Sequence, residues 1–151
     1  MKAKILIPLT ALGLILAMVV YFLLNPSYEK SLEAKYYYET GNYEKAYELA
    51  QEAFSMDIYN RMASTIMAQS KTSLKYVKYV KQAKEYMQRI NEIASKESIS
   101  DADRAKIKLM SEVMVDSYVK LAPSVITDKA LVEEAASYHK SFEKLLEKVN
   151  R

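Results

Sequence analysis

EAKYYYETGNYEKAYELAQEAFSMD, Glu33–Asp57, is the stretch that decides the fold. It is built from Ala, Glu, Lys, Leu and Met, which favour helix, and is interrupted once, by Gly41-Asn42. A glycine after a helical run is a stop signal. The pattern predicts a helix over Ser27–Thr40, a tight turn, and a second helix over Tyr43–Met56. Outside the first two dozen residues, Gly41 is the lone glycine, and Pro26 and Pro123 are the only prolines. So few breakers predict long helices and no strands. The fold class is all-α.

Ala34, Tyr37, Gly41, Tyr43, Ala46 and Ala53 fall at the spacings of a known repeat, and over about 30 residues this stretch resembles a tetratricopeptide repeat. The resemblance implies that Ala34 and Ala46 let two antiparallel helices approach closely, that Tyr37 fills the gap, and that Ala53 packs on the next repeat. The chain departs from the pattern at Ile58, which stands where proline is usual. A degenerate second copy aligns the segment from Ala83 with that from Ala46, an offset of about 37 residues against the usual ~34. The extra length falls at Ser70-Lys-Thr-Ser, read as a loop between helices over about Ile58–Gln69 and Leu74–Lys96. Ser100-x-x-Asp103 resembles a capping box opening a helix that ends near Leu121. Thr127 or Asp128 caps a last helix running nearly to Arg151. Its apolar positions Leu131, Ala135, Tyr138, Phe142, Leu145 and Val149 form one stripe. The expected architecture is a tetratricopeptide-like stack of about six antiparallel helices, three hairpins, over residues 26–151, the last one a polar-faced cap.

Ahead of that domain, Ile5 to Leu24 runs without a charge after Met-Lys-Ala-Lys. Twenty or so apolar residues match a hydrocarbon core of about 30 Å. A cleaved secretory signal, the alternative, has a shorter apolar region ending at a small-x-small site. Here bulky Tyr21, Phe22, Leu23 and Leu24 precede Asn25-Pro26. Residues 1–25 are therefore expected to be a single transmembrane anchor, with membrane contact through residues 5–24. Lys2, Lys4 and the terminal amine flank one end, Lys30 and Lys35 the other. The positive-inside rule then favours an N-terminus in the cytoplasm of a bacterium and a domain on the periplasmic side of the inner membrane.

The chemical inventory is sparse. The chain has no cysteine and one histidine, His139, so thiol nucleophiles and multi-histidine metal sites are out of reach. One glycine in the domain cannot build a phosphate-cradling loop. Beyond Lys2 and Lys4 the domain is almost neutral, which argues against nucleic acid. His139 reads as a plain surface residue. The expectation is a protein that is no enzyme, with no cofactor and no small-molecule substrate.

Two surfaces are candidates for partner binding. In tetratricopeptide proteins the first helix of each pair lines the ligand groove, so the resemblance implies that Tyr28, Ser31, Lys35, Tyr38 and Glu39 face a protein partner, with Tyr37 in the core. The second is a charge split. Residues 27–60 hold seven acids and three bases, and residues 61–96 eight bases and two acids. Lys71, Lys75, Lys78, Lys81 and Lys84 could meet an acidic partner or anionic lipid, or form only a solvated face. The function expected is a membrane-anchored adaptor or scaffold, including an assembly factor or chaperone for a membrane complex. The alternative is a structural subunit of secretion, division or flagellar machinery that serves as a spacer.

Overall fold

The computed structural model describes residues 2–123 and 127–150. Met1, whose amine belongs to the expected positive flank, and Arg151 lie outside the described residues, as do the side chains of Lys2, Lys4 and Ile5. Among the described residues there are six α-helices and no strand: α1 (Lys2–Leu24), α2 (Pro26–Glu39), α3 (Tyr43–Met56), α4 (Arg61–Ala94), α5 (Asp101–Val119) and α6 (Lys129–Val149). They form two compact units, Met1–Ser70 and Lys71–Arg151.

In the first unit, α2, α3 and α4 begin where a side-chain oxygen accepts from the first-turn backbone. Asn25 accepts from Ser27 N at 3.0 Å, and Pro26 opens α2, where its missing N–H costs nothing. The helix stops at Gly41, whose φ of 82° is the left-handed conformation that glycine adopts without strain. There the Gly41 and Asn42 amides donate to the Tyr38 and Tyr37 carbonyls. Asn42 then caps α3 by accepting from Lys45 N at 3.2 Å. Ala34, Ala46, Leu49, Ala50 and Ile66 form the core, with Tyr37, Tyr38, Met62 and Met67 packed against it. Small alanines at the crossing let the helices sit close.

The corner after α3 is made by the side chains of Asp57 and Asn60. Asp57 Oδ1 accepts from Tyr59 N at 2.9 Å, and Asn60 Oδ1 accepts from Ala63 N at 3.1 Å to start α4. The Asn60 Nδ2 group lies 3.2 Å from Ser27 O, 2.9 Å from Ser27 Oγ and 3.2 Å from Ser31 Oγ. Ser27 Oγ donates onward to Ala53 O at 2.8 Å. Ser27, Ser31 and Asn60 are all buried, so this network binds the starts of α2 and α4 to the end of α3.

Two expectations are corrected. First, the helices over Ile58–Gln69 and Leu74–Lys96 are one continuous α4 of 34 residues. The Ser70–Ser73 cluster contains neither glycine nor proline, and Ser70 and Ser73 are fully buried, so packing overrides a weak propensity. The stack of three hairpins becomes the hairpin α2–α3, the long α4, and the hairpin α5–α6. Second, among the described residues no single helix is long and apolar enough to cross a membrane, so the expected single span over residues 5–24 is not upheld. Ile7–Phe22 rises about 24 Å, and Pro26–Glu39 then departs at 74°; only the bent pair passes by length and composition. Ser100 caps α5 as its motif requires, its Oγ accepting from Asp103 N at 3.2 Å, while the Asp103 carboxylate takes Lys96 Nζ at 3.1 and 3.0 Å.

In the second unit, Asp128 caps α6 by accepting from Ala130 N at 2.8 Å. The α6 stripe is buried as its spacing requires: Ala135 and Phe142 are fully enclosed, and Leu131, Tyr138, Leu145 and Val149 pack on the same cluster. Tyr76, Tyr79, Val80, Ala83 and Ile90 of α4 and Ile107 and Met114 of α5 complete the core. Buried Ser73 Oγ and Ser111 Oγ have no hydrogen-bond partner among the described residues.

The two kinds of buried polar group predict opposite responses. Removing the Asn60 amide strands its buried partners, so Asn60→Ala should cost about 2 kcal/mol. Ser111→Ala removes a hydroxyl with no hydrogen-bond partner among the described residues and should leave stability unchanged or raise it by about 1 kcal/mol. Urea melts followed by circular dichroism measure both; equal losses in the two variants would refute this account of the network.

Candidate functional site

The five groove residues expected on α2 do not share one open surface. Ser31 is fully buried, donates to Tyr28 O at 2.9 Å and receives Asn60 Nδ2; it is a core residue and cannot face a partner. Tyr38 is half-buried against the core, edge-on to Tyr43 with ring centroids 5.4 Å apart. Tyr28 is half-buried and meets Phe22 edge-on at 4.7 Å. Lys35 and Glu39 are exposed and pair with each other at 3.6 Å. The outward face of α2 instead displays Leu32 and Tyr36. Serine was misjudged because its burial depends on Asn60, which is 29 residues away and carries no periodic signal.

All five lysines of the charge split, Lys71, Lys75, Lys78, Lys81 and Lys84, are exposed on α4. Lys84 leaves the set: its Nζ lies 2.9 Å from Glu134 Oε1 on α6, and that hydrogen bond and charge hold its ammonium above the usual lysine range. Lys78 and Lys81 flank an open groove with Glu85, Tyr86 and Arg89, so the face is mixed in charge rather than a lysine ladder.

His139 is not a plain surface residue. Its ring stacks on Tyr118 of α5 with centroids 4.1 Å apart and planes 9° from parallel. Nε2 lies 3.4 Å from Glu143 Oε1, and Nδ1 is buried with no hydrogen-bond partner among the described residues. Tyr118 also meets Tyr79 of α4 at 5.7 Å. Three helices therefore meet through Tyr79, Tyr118 and His139, a packing role visible in sequence only as the position of His139 beside Phe142 and Tyr138. Among the described residues no group of three or more histidine and acidic side chains gathers to hold a metal.

A concave site that no motif announced lies where α4 and α6 meet in the second unit. Two adjoining hollows of about 510 and 400 Å³ share Met87 and Tyr138. Both are shallow and open toward solvent. The first is walled by α4 residues from Lys84 to Glu92 and by Ser95 just beyond the helix, Gln88 donating to Glu92 at 3.1 Å. The second is lined by Met87, Tyr138, Ser141, Lys144, Leu145 and Lys148, with no carboxylate among them. Met87, Tyr138 and Leu145 also pack on the core from below, so the floor is held in place.

No known protein family, curated protein or solved structure matches this chain.

The tyrosine at the centre of this unit sets a pH limit. Burial, then the neighbouring Tyr118 and Glu143 charges, pushes the Tyr79 phenol up to about 12. The fold keeps the neutral form, so this contribution is intact below about pH 10 and is lost as pH rises through about 12. The melting temperature should fall over that window, and that of Tyr79→Phe, which removes a hydroxyl with no partner among the described residues, should fall less. Parallel alkaline melts of the two proteins decide it; identical slopes would show that Tyr79 does not titrate with unfolding.

Proposed function

We propose that this chain is a membrane-attached, tetratricopeptide-like adaptor that binds a protein partner without catalysis. The observation that carries the reading is α1. From Ile7 to Phe22 every described side chain is exposed, Ile7 and Leu14 by more than 70 %. Apolar surface on that scale is covered by lipid or protein in the cell. α1 is apolar all round rather than on one face, as a helix surrounded by lipid is. Tyr21, Phe22 and Tyr28, touching edge-on in succession, sit at the bend, where aromatic rings favour the membrane–water boundary. With α1 in the bilayer, the 74° turn sends α2 away along the surface.

The helical units supply surfaces and no reactive constellation. Tethering raises their effective concentration beside other membrane components, so modest contacts suffice. The expected placement is the bacterial inner membrane, N-terminus in the cytoplasm and domain in the periplasm, with service to a larger membrane complex as assembly factor or scaffold.

Alkaline carbonate washing should leave the full-length chain in the membrane pellet, while a chain lacking residues 1–25 should appear in the supernatant. A cysteine placed at exposed Ser98, between α4 and α5, should react with an impermeant thiol reagent in intact spheroplasts. Release of the full chain would remove the membrane tether; labelling only after lysis would reverse the orientation.

A further inference from the structure

We infer that the hollow between α4 and α6 is the docking site for an acidic amphipathic helix of a partner protein, engaged through Lys144 and Lys148 over a floor of Met87, Tyr138 and Leu145. This rests on the adaptor function proposed above and names the chemistry of its partner.

The floor combines a thioether, a phenol ring and a branched aliphatic chain. Methionine adapts its shape to an incoming side chain, and tyrosine offers contact area with little loss of freedom. All three are half-buried and packed on the core cluster, so they form a standing surface. A cleft framed by two helices suits a third helix laid along it, with apolar anchors at one-turn intervals.

Charge selects the occupant. Lys84, at the edge of the neighbouring hollow, is already satisfied by Glu134 at 2.9 Å. Lys144 and Lys148 are exposed and make no ion pair among the described residues, and no carboxylate lines their hollow. They stand four residues apart on α6, so their side chains project on one face about 6 Å apart. Two carboxylates one turn apart on an incoming helix match that spacing. A basic segment would meet two like charges in a hollow lined by no carboxylate, which is how an interface rejects the wrong partner.

The test uses a fluorescein-labelled peptide of about 16 residues with leucines at one-turn intervals and glutamates flanking them, and a twin with lysine in place of every glutamate. Fluorescence anisotropy is read against the full-length chain in neutral dodecyl maltoside micelles. The acidic peptide should bind at least tenfold more tightly than its twin. Lys144→Glu with Lys148→Glu should weaken the acidic peptide tenfold or more and shift preference to the basic twin, with helicity unchanged. Met87→Ala should weaken both peptides without changing their order. Equal binding of the two peptides, or an unchanged order in the charge-reversed protein, overturns the proposal. So does a charge reversal that leaves peptide binding alone but abolishes self-association by light scattering (a second copy is then the occupant). Loss of binding only to phosphatidylglycerol vesicles overturns it in favour of lipid. A chain that carbonate releases yet that binds the acidic peptide loses the tether and keeps the groove; one retained in the pellet that ignores the peptide loses the groove alone.

Discussion

One buried amide organises the first unit. Asn60 contributes its side-chain oxygen to the start of α4 and its nitrogen to Ser27 and Ser31 on α2, while Ser27 ties back to Ala53 on α3. A buried polar group is costly unless paired and specifies geometry when it is. Apolar contacts among Ala34, Ala46, Ala50 and Ile66 would tolerate a slide along either helix; a chain of hydrogen bonds would not. Asp57 and Asn60 build the corner after α3 from side-chain acceptors. α4 is launched from that corner, and its later turns supply Tyr76, Tyr79, Val80, Ala83 and Ile90 to the core of the second unit.

Ion pairs reinforce neighbouring elements at lower stakes. Lys30 holds Glu52 across the α2–α3 hairpin, which draws the Glu52 carboxyl below the usual carboxylate range and lifts the lysine. Lys84 holds Glu134 between α4 and α6. Lys96 holds Asp103 across the α4–α5 connection, lowering that carboxyl with help from Ser100. Each involves at least one well-exposed partner, so each adds little stability. Their use is in register: none of them joins two residues of one helix. The acid-rich and base-rich stretches of the sequence thus do not oppose each other as blocks; Lys84 of the basic stretch is answered by an acid 50 residues further on.

What could be read in advance follows from the range of the forces involved. The α2–α3 hairpin and the α6 stripe are local: a left-handed glycine at Gly41, an Asn42 cap, and apolar residues three and four apart. Those features act within a turn of the chain, so they appear in a short window of sequence. The unbroken α4 was hidden because Ser70–Ser73 weakens a helix locally while burial of Ser70 and Ser73 overrules it from a distance. Ser31 and His139 were misplaced for the same reason, since Asn60 and Tyr118 reach them from other helices. The α4–α6 groove joins Met87 to Lys144 and Lys148, and nothing in either segment refers to the other.

The two units are specified in different ways, and that difference bears on binding. In the first, the buried Asn60, Ser27 and Ser31 satisfy one another, and Ser70 Oγ is the one buried side-chain atom without a partner among the described residues. In the second, Ser73, Ser111, the Tyr79 hydroxyl and His139 Nδ1 are buried without partners among the described residues. Each such atom forgoes the hydrogen bond it would make with water in the unfolded chain. The second unit therefore holds its shape mainly by apolar packing, which permits side chains to repack where a polar network would fix them. A floor of Met87, Tyr138 and Leu145 resting on such a core can adjust to a range of apolar anchors. Selectivity must then come from charge at the rim, the part supplied by Lys144 and Lys148.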